Sequence, residues 1–287
     1  MSVTDLPRTY LYVPGNAPEK LDKALDRGAD ALIVDLEDAV PVAEKDPALA
    51  AVQDWLRAQP TDLRTELWVR INGGNRRSGE VAALAGIPTL RGLALAKVES
   101  AQDVREVADQ LASLGDHDSV LMPLVESAVA MLQVAAIAAG PRVHQMQIGE
   151  VDLAGDTGLE PGQDEAELAG IRMMVVLASA AAGINPPVGP VSRITKDAKA
   201  LAESTRRVRR QGFLGRACIH PAQVPVVHEV FTPSREEAEE ARTVISRLAA
   251  AEAEGSGVLL DDQGRLVDGA VLRNAHKILA LAARAEP

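Results

Sequence analysis

Short apolar runs alternate with longer amphipathic ones along most of this chain. TYLYV (9–13), ALIVDL (31–36), ELWVRI (66–71), GLALAK (92–97), SVLMPLV (119–125) and VHQMQIG (143–149) are dominated by aliphatic and aromatic side chains. PPVGPV (186–191) and RACIH (216–220) are weaker runs of the same kind. Runs this short, bounded by turn residues, predict strands. Between them lie PEKLDKALDRG, AEKDPALAAVQDWLRA, SAQDVREVADQLASLG, ESAVAMLQVAAIAAG, DEAELAGIRMMVVLASAAAG and KDAKALAESTRRVRRQG, whose apolar positions recur at helical spacing. Gly28, Gly115, Gly140, Gly183 and Gly212 each close a periodic stretch, as a left-handed cap would. Ser100, followed three residues later by Asp103, predicts a capping box.

Strands that alternate with helices imply a parallel sheet. Eight such units within residues 1–232 fit a closed (β/α)8 barrel, which typically needs about 250 residues. No GxGxxG follows the first strand, which argues against an open doubly wound sheet. The pattern changes after Pro233. REEAEEARTVISRLAAAEAEG predicts a long charged helix, VLLDDQGRLVDG a hairpin with DDQG at its turn, and AVLRNAHKILALAARA a last amphipathic helix. Residues 233–287 are therefore read as a C-terminal arm or lid that contributes to subunit contacts.

Composition narrows the function. Hydrophobic residues make up 47% of the 287 and aromatics only 2%, so the core is aliphatic and platforms for stacking bases are scarce. A formal net charge of −11 repels phosphate backbones, which argues against nucleic acid as a partner. The single cysteine, Cys218, allows no internal disulfide and reads as a buried structural thiol. No apolar run reaches the roughly 20 residues that span a bilayer, and MSVTDLPRTY lacks an apolar signal core. The expectation is a soluble, cytoplasmic protein without a membrane partner.

A parallel barrel presents its chemistry at the C-terminal ends of its strands. Polar residues gather at those ends: Glu37 and Asp38, Arg70 and Asn72, Lys97 and Glu99, Glu126, Glu150 and Asp152, and His220. Loops of this kind also begin with capping acids, and either carboxylate of the pair Glu126 and Asp152 could be one. Together the two suit Mg2+, which prefers oxygen ligands and keeps open positions for water or substrate. No His or Cys cluster has zinc-like spacing. Arg70 could hold a carboxylate or carbonyl in a bidentate fork, or pair with Glu66 or a rim acid. Lys97 is read as a partner of the acids in DLED rather than as a Schiff-base lysine, and His220 as a structural histidine.

The stretches RTYLYVPGNAPEKLDKA, GADALIVDLEDAVP with Lys45 behind it, LWVRING, LAKVES, PLVESA, GEVDLAGDTG and GFLGRACIHPAQVPVVHEVFTPS follow one another over almost the whole chain. In them the chain resembles the citrate lyase β-subunit-like proteins of the HpcH/HpaI aldolase and malyl-CoA lyase superfamily. That resemblance implies a (β/α)8 barrel with a C-terminal arm, assembled as a homo-oligomer, a trimer or hexamer. It implies Mg2+ held by Glu126 and Asp152, and Arg70 against the oxo-acid portion of the substrate. It also implies an acid/base from a neighbouring subunit's arm, a role that falls to Asp268. The implied reaction is metal-dependent carbon–carbon cleavage or formation, in which a short 3-hydroxyacyl-CoA of malyl-CoA or citramalyl-CoA type is exchanged with an acyl-CoA and an oxo acid. Two alternatives share the metal pair: an aldolase acting on free oxo acids without CoA, and a carrier-protein-dependent citrate lyase subunit. The chain departs from the family pattern in KDPALAAV, which lacks an arginine, in LAK for LPK, and at Asn185 in place of a frequent aspartate. These departures bear on the acyl group and on CoA preference.

Overall fold

A computed structural model describes residues 6–253, 259–260 and 266–283. Eight strands close into a parallel barrel in chain order: β1 (Thr9–Pro14), β2 (Ala31–Asp35), β3 (Glu66–Ile71), β4 (Leu90–Leu95), β5 (Val120–Val125), β6 (Gln147–Ile148), β7 (Val188–Gly189) and β8 (Gly215–Cys218). The intervening helices are α1 (Pro18–Leu25), α2 (Lys45–Ala58), α3 (Arg77–Leu84), α4 (Ala101–Ser113), α5 (Ala128–Leu132), α6 (Val134–Ala138), α7 (Glu150–Thr157), α8 (Ala169–Ala182), α9 (Ala198–Arg210) and α10 (Gln223–Phe231). The expected barrel is thus the observed one. Its strands read as unbroken apolar runs because helices cover their outer faces while the barrel interior buries the inner ones; all five residues of β2 are buried.

Tyr10, Ile33, Trp68, Met122 and Leu124 pack inside the barrel with Ala31, Ala94 and Ala217. One indole fills the middle, and small neighbours make room for it. A Cβ at Gly92 would lie 2.9 Å from the Trp68 ring and 2.2 Å from the Val120 carbonyl. The Trp68 ring also lies 6.2 Å from that of His144.

Several local expectations change. The run 143–149 gives only the two residues of β6, because after a bridge from Val143 to Leu121 the chain leaves the ladder until Gln147. ESAVAMLQVAAIAAG divides at Gln133 into α5 and α6. Helices α3 and α7 come from stretches without clear periodicity. Left-handed caps occur at Gly28, Gly115, Gly183 and Gly212 but not at Gly140. There the reason for glycine is contact: a Cβ would sit 2.7 Å from Val104 Cγ1. The capping box at Ser100 forms, with Asp103 answering the N-cap.

The chain divides into two compact units, with Pro7–Val227 forming the barrel unit and residues from His228 onward belonging to the other. The second unit contains α11 (Arg235–Ala253), which packs against α12 (Gly269–Ala283), and an antiparallel pair, β9 (Leu259–Leu260) with β10 (Leu266–Val267). The DDQG turn expected between these strands lies outside the described residues. Among the described residues no helix is long and apolar enough to cross a membrane.

Candidate functional site

Asp35, the last residue of β2, lies in register with Arg70 on β3. Its carboxylate accepts from Arg70 Nε at 2.7 Å and from Nη2 at 2.6 Å, a fork-to-fork pair. The same carboxylate accepts from the backbone N–H groups of Glu37 and Ala39, which folds the β2 turn over the barrel mouth. Arg70 Nη1 then lies 2.8 Å from Glu37 Oε2 and 3.4 Å from Asp38 Oδ2. The guanidinium covers the Tyr12 ring, 5.1 Å from its centroid. Arg70 therefore pairs with rim acids, whereas Glu66 serves Trp68 and Arg91. Below the turn, Lys45 Nζ donates to the carbonyls of Leu36 and Glu37 and to Asn72 Oδ1, and Asn72 in turn donates to Glu80. These buried contacts fix the backbone that carries Glu37.

Glu126 directly follows β5 and is 5% exposed. Its Oε1 accepts the Lys97 backbone N–H at 2.7 Å. Gly149 leaves space for it: a Cβ there would sit 2.6 Å from Glu126 Cβ and 3.0 Å from Oε2. Asp152 is the third residue of α7, so it stands on the first turn of a helix rather than at an N-cap. That helix is held by Arg172, a buried side chain on α8, which forks onto Glu150 at 2.5 and 2.8 Å and reaches Glu165 at 2.7 Å. Leu153 packs beneath it, and Asp156 accepts the Ala128 N–H.

Glu126, Asp152 and Arg70 line one cavity of about 400 Å³, with Tyr12, Asp35 and Asp38. The carboxylates share a cation: Lys97 Nζ contacts Asp152 and lies 3.4 Å from Glu126 Oε1 and 3.8 Å from Glu37 Oε1. Asp268 belongs to the second unit, where its Oδ1 accepts the Val271 N–H at 3.2 Å and caps α12. His220 accepts the Ala222 N–H and stands exposed in the turn between β8 and α10.

Burial raises the Glu126 carboxyl above its ordinary range, against the pull of the Lys97 N–H and charge. Glu37 is pushed up to about 7, first by burial and then by Asp38, while Arg70 and Lys97 oppose the rise. Glu37 is a further site residue; its place beside Asp38 at a strand end was the only sequence signal for it.

These residues fit a small, hard divalent cation. A buried carboxylate and a second one already converge on a positive group, and every donor is oxygen. Among the described residues no cluster of three or more His, Cys, Asp or Glu side chains forms a closed cage. Two carboxylates with substrate oxygens and water completing the shell are the usual magnesium arrangement.

Known proteins place the chain by similarity of sequence and fold. The family model described as HpcH/HpaI aldolase/citrate lyase matches residues 8–221. A (3S)-malyl-CoA thioesterase of Cereibacter sphaeroides is 36% identical over 95% of this chain and 92% of its own length. The citrate lyase subunit beta of Leuconostoc mesenteroides subsp. cremoris is 32% identical over 96% of this chain and 93% of its own. The crystal structure of CitE from Mycobacterium tuberculosis in complex with magnesium, acetoacetate and coenzyme A superposes with a TM-score of 0.79 at 31% identity. It covers 96% of this chain and 98% of that one.

Proposed function

The chain belongs to the HpcH/HpaI aldolase/citrate lyase family, and from that premise we propose that it makes or breaks a carbon–carbon bond between an acyl-CoA and a short oxo acid, with Mg2+ held by Glu126 and Asp152. The convergence of these two carboxylates on one positive charge beside Arg70 carries the reading. A bound magnesium ion supplies Lewis-acid stabilisation of a developing oxyanion.

The protein's own residues do the rest. Glu126 gives a fixed ligand, because its backbone continues a buried strand. Arg70 cannot swing, since Asp35 takes two of its N–H groups, and so it orients the carboxylate or carbonyl of the oxo acid and adds positive charge there. In the cleavage direction a base removes the proton of the substrate hydroxyl. The carbon–carbon bond then breaks, its electrons pass into the thioester enolate, and that carbon is reprotonated. Asp268 from the arm of a neighbouring subunit is the proposed acid/base, which requires a homo-oligomer. A second cleft shares Tyr12, Val13, Pro14 and Ile219 with the central cavity and adds Lys20, Lys23 and Arg27. Three cations beside the mouth of an acidic protein suit the phosphates of CoA.

Hydrolysis is the second reading, favoured by the 36% identity to a thioesterase. In it, water attacks the thioester carbonyl and CoA leaves as the thiol. A panel of malyl-CoA and citramalyl-CoA, with acetyl-CoA or propionyl-CoA plus glyoxylate or pyruvate in the reverse direction, separates the readings by product. An oxo acid plus acyl-CoA marks cleavage, whereas free CoA with the intact hydroxy acid marks hydrolysis. Turnover of free oxo acids alone would identify the CoA-independent aldolase. Glu126→Gln should abolish Mg2+ binding and turnover while the far-ultraviolet spectrum stays that of the wild type. Full activity in that variant, or in EDTA-treated protein, would refute the metal scheme.

A further inference from the structure

Lys97 has no part in the chemistry above, yet its side chain occupies the point where the acids meet. Its ammonium contacts Asp152, lies 3.4 Å from Glu126 and is 3.8 Å from Glu37. The backbone that delivers it is unusual. Lys97 has φ of 53°, a left-handed conformation that side-chain-bearing residues seldom adopt.

Three neighbours hold that conformation. Glu126 accepts the Lys97 N–H at 2.7 Å. Arg77 Nη2 donates to the carbonyls of both Ala96 and Lys97 at 3.0 Å, while its Nη1 is fixed by Asp103 at 2.7 Å. Gly73 gives way on the far side, where a Cβ would come within 2.9 Å of Lys97 Cβ. A lysine that merely screened surface acids would need no left-handed turn, no arginine clamp and no glycine beside it.

We propose that Lys97 is the resident cation of an exchange site. Its ammonium neutralises Glu126 and Asp152 until a divalent cation enters. It is then displaced from between them, while its backbone N–H stays on Glu126 and keeps that carboxylate aimed. The side chain suits the exchange, being 46% exposed. The inference rests on the metal-site reading of Glu126 and Asp152. It adds that the metal competes with a built-in charge, so that affinity is set by a group which is not a ligand.

Isothermal titration calorimetry of the full-length protein with MgCl2, with thermal unfolding measured with and without the metal, tests this. Lys97→Met keeps the stem and the backbone N–H but removes the charge. It should bind Mg2+ more tightly, on the order of tenfold, as loss of one close competing charge predicts. Its metal-free form should melt below the wild type, and its rise in Tm on saturation should be the larger. Lys97→Gln should behave in the same direction. Unchanged or weaker Mg2+ binding in both variants would overturn the proposal. Glu126→Gln separates the two layers: if it binds Mg2+ as the wild type does, the carboxylate pair itself is refuted. If it loses binding while the Lys97 variants gain none, the pair stands and the exchange role alone falls.

Discussion

Gly149→Ala probes the site through a single methyl group. The backbone there has φ of −102° and ψ of 78°, which alanine can adopt, so the perturbation is steric. The new Cβ would meet Glu126 Cβ at 2.6 Å. Non-bonded carbon atoms rest about 3.5–4.0 Å apart, so the contact must open by about 1 Å. Neither partner yields freely, because Gly149 N–H is bonded to the Val125 carbonyl at 2.9 Å and Glu126 is the next residue. Overpacking of this kind costs about 1–3 kcal/mol, and a shift of about 1 Å in a positioned group can cost about 10²-fold in rate. The expected result is a modest fall in Tm with a large loss of Mg2+ affinity, read by thermal unfolding and calorimetry. Gly155→Ala is the internal control, since nothing lies within 4 Å of its Cβ and it sits inside α7. It should leave Mg2+ binding intact. Wild-type affinity and Tm in Gly149→Ala would refute the claim that this glycine exists to seat Glu126.

Other expectations follow from the same geometry. Arg70→Lys loses the fork onto buried Asp35 and should lower kcat/KM by on the order of 10²-fold together with a fall in Tm; near-wild-type kinetics would remove Arg70 from the site. Glu37 binds its proton more tightly folded than unfolded, so its contribution to stability falls as pH rises from the ordinary 4.5 to about 7 and is fully lost above that. Glu37→Gln should flatten that window in a series of Tm values measured from pH 4.5 to 7.5, and an unaltered slope would contradict the assignment. Arg172→Met strands Glu150 and Glu165 without their shared partner and should destabilise by about 3–5 kcal/mol, measured by urea unfolding.

Much of the architecture was legible because barrel strands bury both faces and so write themselves as unbroken apolar runs; β3 matches its run at both ends. Helices α3 and α7 were not, for a physical reason. Each is eight residues long with a glycine inside, and α7 buries only Leu153, so neither displays a repeating apolar face. The positions of Glu126 just after the β5 run and of Asp152 a few residues after the β6 run were visible in the sequence. That Lys97 would stand between them was not, because it depends on a left-handed turn at a residue type that rarely makes one. Likewise, DLED and LWVR are 32 to 35 positions apart, and only the β2–β3 register brings Arg70 against three acids.

The near absence of aromatic residues has an experimental use. The chain holds two tryptophans. Trp55 sits outside the barrel on α2, bonded to Asp22, whereas Trp68 is sealed at the centre beside His144. Burial keeps that imidazole uncharged until about pH 4. With Trp55 replaced by phenylalanine, intrinsic fluorescence becomes a label-free gauge of the innermost layer alone. Acid quenching of its emission would then report protonation of the partly buried His144 against the inner face of Trp68.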